Sequence, residues 1–168
     1  SITIVATANN PPTATANLTS SSSLNYTNGT LTGAYQFSDA DSDTESDNET
    51  QWYVNGILNT TFTNFTTIES ANLTKTDRYN FSVRVYDGTD WSSWSNNASI
   101  TIQNFAPYIS SLNISSTDAN NYSNGSVYIN WSTFDIDTDT TLNETQWYVN
   151  GVLNTTFANE SWIDSNNL

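Results

Sequence analysis

The sequence predicts an all-β fold: tandem antiparallel β-sandwiches of about 95 residues each. Three observations carry this. Apolar residues alternate with polar ones at period two, as in Tyr79-x-Phe81-x-Val83-x-Val85 and Val127-x-Ile129-x-Trp131. Turn signals such as Asn55-Gly56 and Asn150-Gly151 punctuate these runs at short spacing, and no helical periodicity intervenes. Finally, the chain repeats itself. Asn48 to Gly56 (Asn-Glu-Thr-Gln-Trp-Tyr-Val-Asn-Gly) recurs at Asn143 to Gly151, and Leu58 to Phe62 recurs at Leu153 to Phe157, an offset of 95. Upstream the offset is 96, for Tyr26 to Gly29 against Tyr122 to Gly125 and for Asp39, Asp41 and Asp43 against Asp135, Asp137 and Asp139.

Taken in order, residues 1–10 hold a terminal strand and a linker. Ser1-Ile2-Thr3-Ile4 matches Ser99-Ile100-Thr101-Ile102, the last strand of the first repeat, so it is expected to belong to a preceding or neighbouring repeat. Residues 11–104 form the first sandwich. Residues 105–168 form a second that is incomplete: Leu168 matches Leu73, before any counterpart of Tyr79 to Val85. Its last two strands are expected from continuing polypeptide; the alternative, a donor strand from Ser1 to Ile4 of the next copy, supplies the last strand but not the one before it. The 168 residues contain no Met, signal peptide or transmembrane run and are expected to be a processed product or a window on a longer polypeptide.

Several of these segments resemble a known family. Val127-x-Ile129-x-Trp131, Trp147-x-Val149 and Tyr79-x-Phe81-x-Val83-x-Val85 look like the B, C and F strands of fibronectin type III and related immunoglobulin-like domains. Trp91-Ser92-Ser93-Trp94-Ser95 matches the Trp-Ser-x-Trp-Ser signature of some such domains, and Asp39-Ala40-Asp41-Ser42-Asp43 resembles the acidic loop of cadherin-like and PKD-like repeats. Rich in glycosylation acceptors and free of Cys, the whole is similar to archaeal cell-surface repeat proteins. The resemblance implies an architecture and an extracellular setting, and no particular partner.

Charge excludes some functions. Seventeen acidic residues face three basic ones, Lys75, Arg78 and Arg84, for a net charge of −14. Nucleic acid and anionic membrane surfaces both need spread cationic contacts, so neither is an expected partner. No Cys is present to staple the fold, and no His or Cys supplies the usual general base, thiolate or transition-metal ligand. Paired carboxylates remain, which is all a glycosidase needs, but they lie in short loops of small sandwiches where no deep pocket is implied. No enzymatic activity is expected.

The strongest modification signal is Asn-x-Ser/Thr. It occurs sixteen times, at Asn17, Asn25, Asn28, Asn48, Asn59, Asn64, Asn72, Asn80, Asn97, Asn113, Asn121, Asn124, Asn130, Asn143, Asn154 and Asn159. Composition alone would give roughly 7 or 8 such acceptors. Six pairs also fall at equivalent places in the two repeats: 17/113, 25/121, 28/124, 48/143, 59/154 and 64/159. N-linked glycans are therefore expected, on an extracellular or cell-surface protein.

Asp39, Asp41 and Asp43, with Asp135, Asp137 and Asp139 in the second repeat, are the metal candidates. Together with Asp87 and Asp90 at the same end of the sandwich they offer hard oxygen ligands suited to Ca²⁺. A solvated acidic turn explains the same residues, and both readings stand at this point. No Gly occupies the sixth position and no helices flank the loop, so this is not an EF-hand. Trp91 and Trp94 are expected to stack with Arg84, and with Arg78, as an aromatic–guanidinium ladder; an exposed sugar-stacking platform is the alternative. The expected role is the shaft of a filament, sheath or stalk, joined end to end or through neighbouring repeats. The alternatives are an adhesin or carbohydrate-binding array and a hydrolase accessory region.

Overall fold

A computed structural model describes residues 8–168. Ser1 to Ile4, the sequence matching the last strand of the first repeat, lie outside the described residues. Among the described residues every regular element is a β-strand or a single 3₁₀ turn, and the strands pair antiparallel. No helix among the described residues is long and apolar enough to cross a membrane. The chain divides into two compact units, one ending at Asn104 and the other spanning Phe105 to Leu168.

Unit 1 holds β1 (Thr13–Ser20), β2 (Leu31–Ser38), β3 (Asp47–Val54), β4 (Ile57–Leu58), β5 (Thr67–Ile68), β6 (Arg78–Tyr86) and β7 (Ala98–Thr101). One sheet runs β1-β2-β5 and the other β4-β3-β6-β7. Their inner faces share one core of Leu31, Trp52, Ile68, Leu73, Tyr79, Phe81, Val83, Val85 and Ile102. Period-two alternation places these residues: Phe81, Val83 and Val85 point inward together, and Trp52 lies across from Phe81 in register, with ring centroids 5.0 Å apart. Asn55 and Gly56, at φ 53° and 83°, close the β3–β4 hairpin in the left-handed conformation that this dipeptide tolerates.

Unit 2 holds β8 (Tyr108–Ser116), β9 (Val127–Phe134), β10 (Trp147–Val149), β11 (Val152–Asn154) and β12 (Trp162–Ile163). Its sheets are β12-β9-β8 and β10-β11. These correspond in register to β5-β2-β1 and β3-β4, and nothing among the described residues corresponds to β6 and β7. Only Trp147 and Ile163 are buried apolar residues here. The repeat offset falls from 96 to 95 between Asp43/Asp139 and Asn48/Asn143, where the segment joining the matched residues is one residue shorter in unit 2, and it changes once more upstream. A register shift between Ile109 and Ser111 puts an extra residue into β8, so Tyr108 pairs with Phe134 as Thr13 pairs with Ser38, while beyond the bulge Asn113 stands 96 residues after Asn17.

Candidate functional site

The acidic loop of unit 1 connects β2 to β3, and the Asp87 to Asp90 turn follows β6. The segment leading into β1 ties the two together. The Asn9 amide donates to Asp87 at 3.1 Å and to Asp90 at 2.9 Å, while Asn10 donates its backbone N–H to Asp41 at 2.6 Å and its side-chain amide at 2.9 Å. The Asp90 N–H holds the Asp87 carboxyl below its ordinary range. Partial burial works against it, and the Thr89 N–H and Asn9 amide reinforce it.

Asp39, Asp41 and Asp43 each bring a carboxylate oxygen within 4.8 Å of the others. One Asp39 oxygen, Oδ1, accepts the N–H groups of Asp41 at 2.8 Å and Asp43 at 3.1 Å, which fixes the loop as a self-bonded turn. The other, Oδ2, is buried and bonded to nothing, as is Oδ2 of Asp135 at the equivalent place. A buried, unpartnered carboxylate oxygen is costly, and a cation is one group that satisfies it. The donor set of unit 1 thus fits a hard divalent ion, held by Asp39, Asp43 and an Asp41 released from Asn10. Unit 2 does not repeat the arrangement: Asp135, Asp137 and Asp139 do not gather within that distance. Asp137 accepts the Phe105 N–H at 2.5 Å, and Asp135 accepts the Asp139 N–H at 3.2 Å.

None of the sixteen acceptor asparagines is buried; Asn25, Asn59, Asn80 and Asn154 are half-buried and the other twelve exposed. Several use their oxygen structurally. Asn59 and Asn154 accept the N–H of Thr61 and Thr156 at 3.0 Å, capping matched 3₁₀ turns, and Asn64 and Asn159 accept the N–H of Thr50 and Thr145 at 3.1 and 3.2 Å. The nitrogen that carries an N-glycan takes no part in these bonds.

Asn80 is the exception in setting. Strand parity places Asn80, Ser82 and Arg84 on the outward face of β6, but Ser82 is buried because the Trp91 to Ser95 segment roofs that face. Ser92 and Ser95 donate their N–H groups to Val85 and Val83 at 2.8 Å, and their hydroxyls accept the N–H groups of those same residues. The Asn80 side-chain oxygen, at a position flanked by Tyr53 and Ser99 on the neighbouring strands, is also buried without a partner. Sequence parity could not show this roof, because it comes from a non-strand segment laid along β6.

The roof carries the expected aromatic–cation stack in part. The Arg84 guanidinium lies 4.7 Å from the Trp91 ring and 5.1 Å from the Trp94 ring, and Tyr86 stacks on Trp91 at 5.1 Å. Glu49 takes the Arg84 guanidinium at 2.5 Å. Arg78 departs from the expectation: it donates to Ser99 at 3.0 Å. We expect Arg84→Gln to cost unit 1 about 1–3 kcal/mol, from two cation–π contacts and a half-exposed ion pair. Arg84→Lys should cost less but not nothing, because an ammonium lacks the flat face that stacks. Thermal unfolding of the two variants checks this; a cost for Lys equal to that for Gln would mean that stacking geometry contributes little.

Two features had no sequence forecast. The Tyr35 hydroxyl donates to Glu45 at 2.5 Å, and burial followed by the Glu45 carboxylate pushes its pKa up to about 12. Tyr128 and Trp162, both exposed, stack at 6.0 Å with rings 15° apart on the outer face of β9. No protein-family model, curated protein or solved structure matches this chain.

Proposed function

We propose that the chain is a segment of a heavily N-glycosylated extracellular filament, sheath or stalk, built from tandem sandwiches of the immunoglobulin-like, fibronectin III type. One observation carries the reading: sixteen acceptor asparagines, six pairs of them in register across the repeats, all lie outside the core. The strand orders β1-β2-β5 and β4-β3-β6-β7 support the sandwich class. A glycan coat on such a shaft supplies hydration, resistance to proteases and mutual repulsion between shafts. The lack of His and Cys supports a non-catalytic role.

An adhesin or carbohydrate-binding array is the second reading, and the exposed Tyr128–Trp162 stack is the observation that favours it. Asn130 follows Tyr128 on that same face, however, and its cross-strand partner is Asn113. Glycans at both would crowd one side of the aromatic pair, which favours the shaft. Electron microscopy of the native material tests the choice: fibres or a continuous sheath are expected, and discrete isolated particles would contradict the shaft.

Within this reading Ca²⁺ stiffens the leading joint of unit 1 through Asp39, Asp41 and Asp43. An ion that binds only the folded state at 100 times its Kd adds about 2.7 kcal/mol. For a domain of this size that is a rise of roughly 10–20 °C in Tm. Adding Ca²⁺ to chelator-treated protein should therefore raise the melting temperature, and Asp39→Asn should remove the rise. An unchanged melting curve would leave the loop as a solvated turn.

A further inference from the structure

In unit 1, β6 is an inner strand of the β4-β3-β6-β7 sheet, and the residues of β1 and β2 that pack toward its inner face are small. Ala14 and Ala16 pack against the core, and a Cβ on Gly33 would lie 2.5 Å from the Phe81 ring. The register places Ile109, Leu112 and Ile129 at the same three positions of unit 2. There, Ile109 is 52% and Leu112 70% exposed. With Ile129, Trp131 and Glu144 they line an open groove of about 290 Å³. Apolar exposure of this kind marks a surface built to be covered.

Charge adds a second constraint. Glu144 is the counterpart of Glu49, which stands across from Arg84 in the strand register and binds its guanidinium. On unit 2 that carboxylate is exposed at the rim of the groove. Beside it, β10 pairs with β11 alone among the described residues, whereas β3 pairs with β6 as well as β4.

We propose that this groove seats a two-strand segment lying outside residues 1–168, similar to β6–β7 in pattern but keyed to a different size. Its first strand runs antiparallel to β10. It sets a small residue (Gly, Ala or Ser) across from Trp147, where unit 1 sets Phe81 across from Trp52, and the side chain of Ile129 fills the space left. Two and four residues on it carries apolar side chains, and between those an Arg or Lys that meets Glu144. The sequence is therefore small-x-apolar-basic-apolar.

A second copy of this chain does not meet the description. Its own β6 carries Phe81 and is consumed in its own core, where Phe81, Val83 and Val85 are fully buried. Nor does Ser1 to Ile4, which contains no basic residue and matches β7 rather than β6. The keyed sizes have a consequence in an array of near-identical repeats: a strand from one repeat cannot replace its counterpart in the next without a clash or a cavity, which opposes strand exchange between repeats.

This inference rests on reading unit 2 as an open copy of the unit 1 sandwich, and not on the glycans. The test extends the chain after Leu168 with a copy of residues 74–104, in one version unchanged and in the other with Ala at the place of Phe81. Amide hydrogen exchange of residues 129–131 and 147–149 and binding of a hydrophobic dye are measured, with the amides of Val83 and Val85 in unit 1 as the internal control of folding. The Ala version is expected to slow exchange by about tenfold or more and to remove most dye binding, and the Phe version to do so far less. Equal protection by both would overturn the size key alone. Protection by neither would overturn the seat and the reading of unit 2 as an open sandwich. An unextended chain that sediments as a dimer and excludes the dye would assign the groove to a second copy and overturn the proposal.

Discussion

Phe81→Ala is expected to destabilise unit 1 by about 3–5 kcal/mol, a large share of the ~5–15 kcal/mol that a domain of this kind has in total. The ring is fully buried, packs on Trp52 with centroids 5.0 Å apart, and presses so closely on Gly33 that no Cβ fits there. Gly33→Ile alone should be destabilising for the opposite reason, since overpacking typically costs about 1–3 kcal/mol and this contact is tighter than most. Together the two substitutions should cost less than their sum by about 1–3 kcal/mol, because the added side chain occupies the space that the ring vacates. Chemical denaturation of the four proteins closes the cycle. Strict additivity would show that Gly33 and Phe81 do not share the space as described.

Trp52→Ala should match Phe81→Ala in size, at about 3–5 kcal/mol. The indole is fully buried, and its N–H donates at 2.8 Å to the Phe65 carbonyl, which Thr50 Oγ also holds at 2.8 Å. Trp52→Phe keeps much of the ring and loses the hydrogen bond, so about 1–2 kcal/mol is expected. The matched substitution Trp147→Ala in unit 2 should cost less. Trp147 makes the same bond, to Glu160 at 3.0 Å, but has no counterpart of Phe81 across from it in these residues. Equal costs in the two units would contradict the picture of an open second core.

Local signals read well from sequence, because each depends on neighbours in the chain. Asn55-Gly56 sits in the left-handed turn that the dipeptide favours, and the alternation through Phe81, Val83 and Val85 gave the inner face of β6. Long-range placements read only in part. The Arg84 stack on Trp91 and Trp94 was legible from residue types in adjacent segments, but Arg78 found Ser99 because cross-strand register, which sequence does not fix, put a hydroxyl within reach. The Asp triplets looked alike in sequence yet gather in one unit only. The Gly33 and Ile129 difference was visible at a matched position, and lacked meaning until the Phe81 ring was seen above Gly33.

The claim that this is a glycan-coated surface shaft is tested most directly by intact glycopeptide mass spectrometry of the native protein. Occupied N-glycans are expected at both members of the register-matched pairs 17/113, 25/121, 28/124, 48/143, 59/154 and 64/159, whose attachment residues are exposed or half-buried in each unit. Asn80, whose side-chain oxygen is buried, is expected to be the least occupied of the sixteen. Bare asparagine at most of the six pairs would contradict the account.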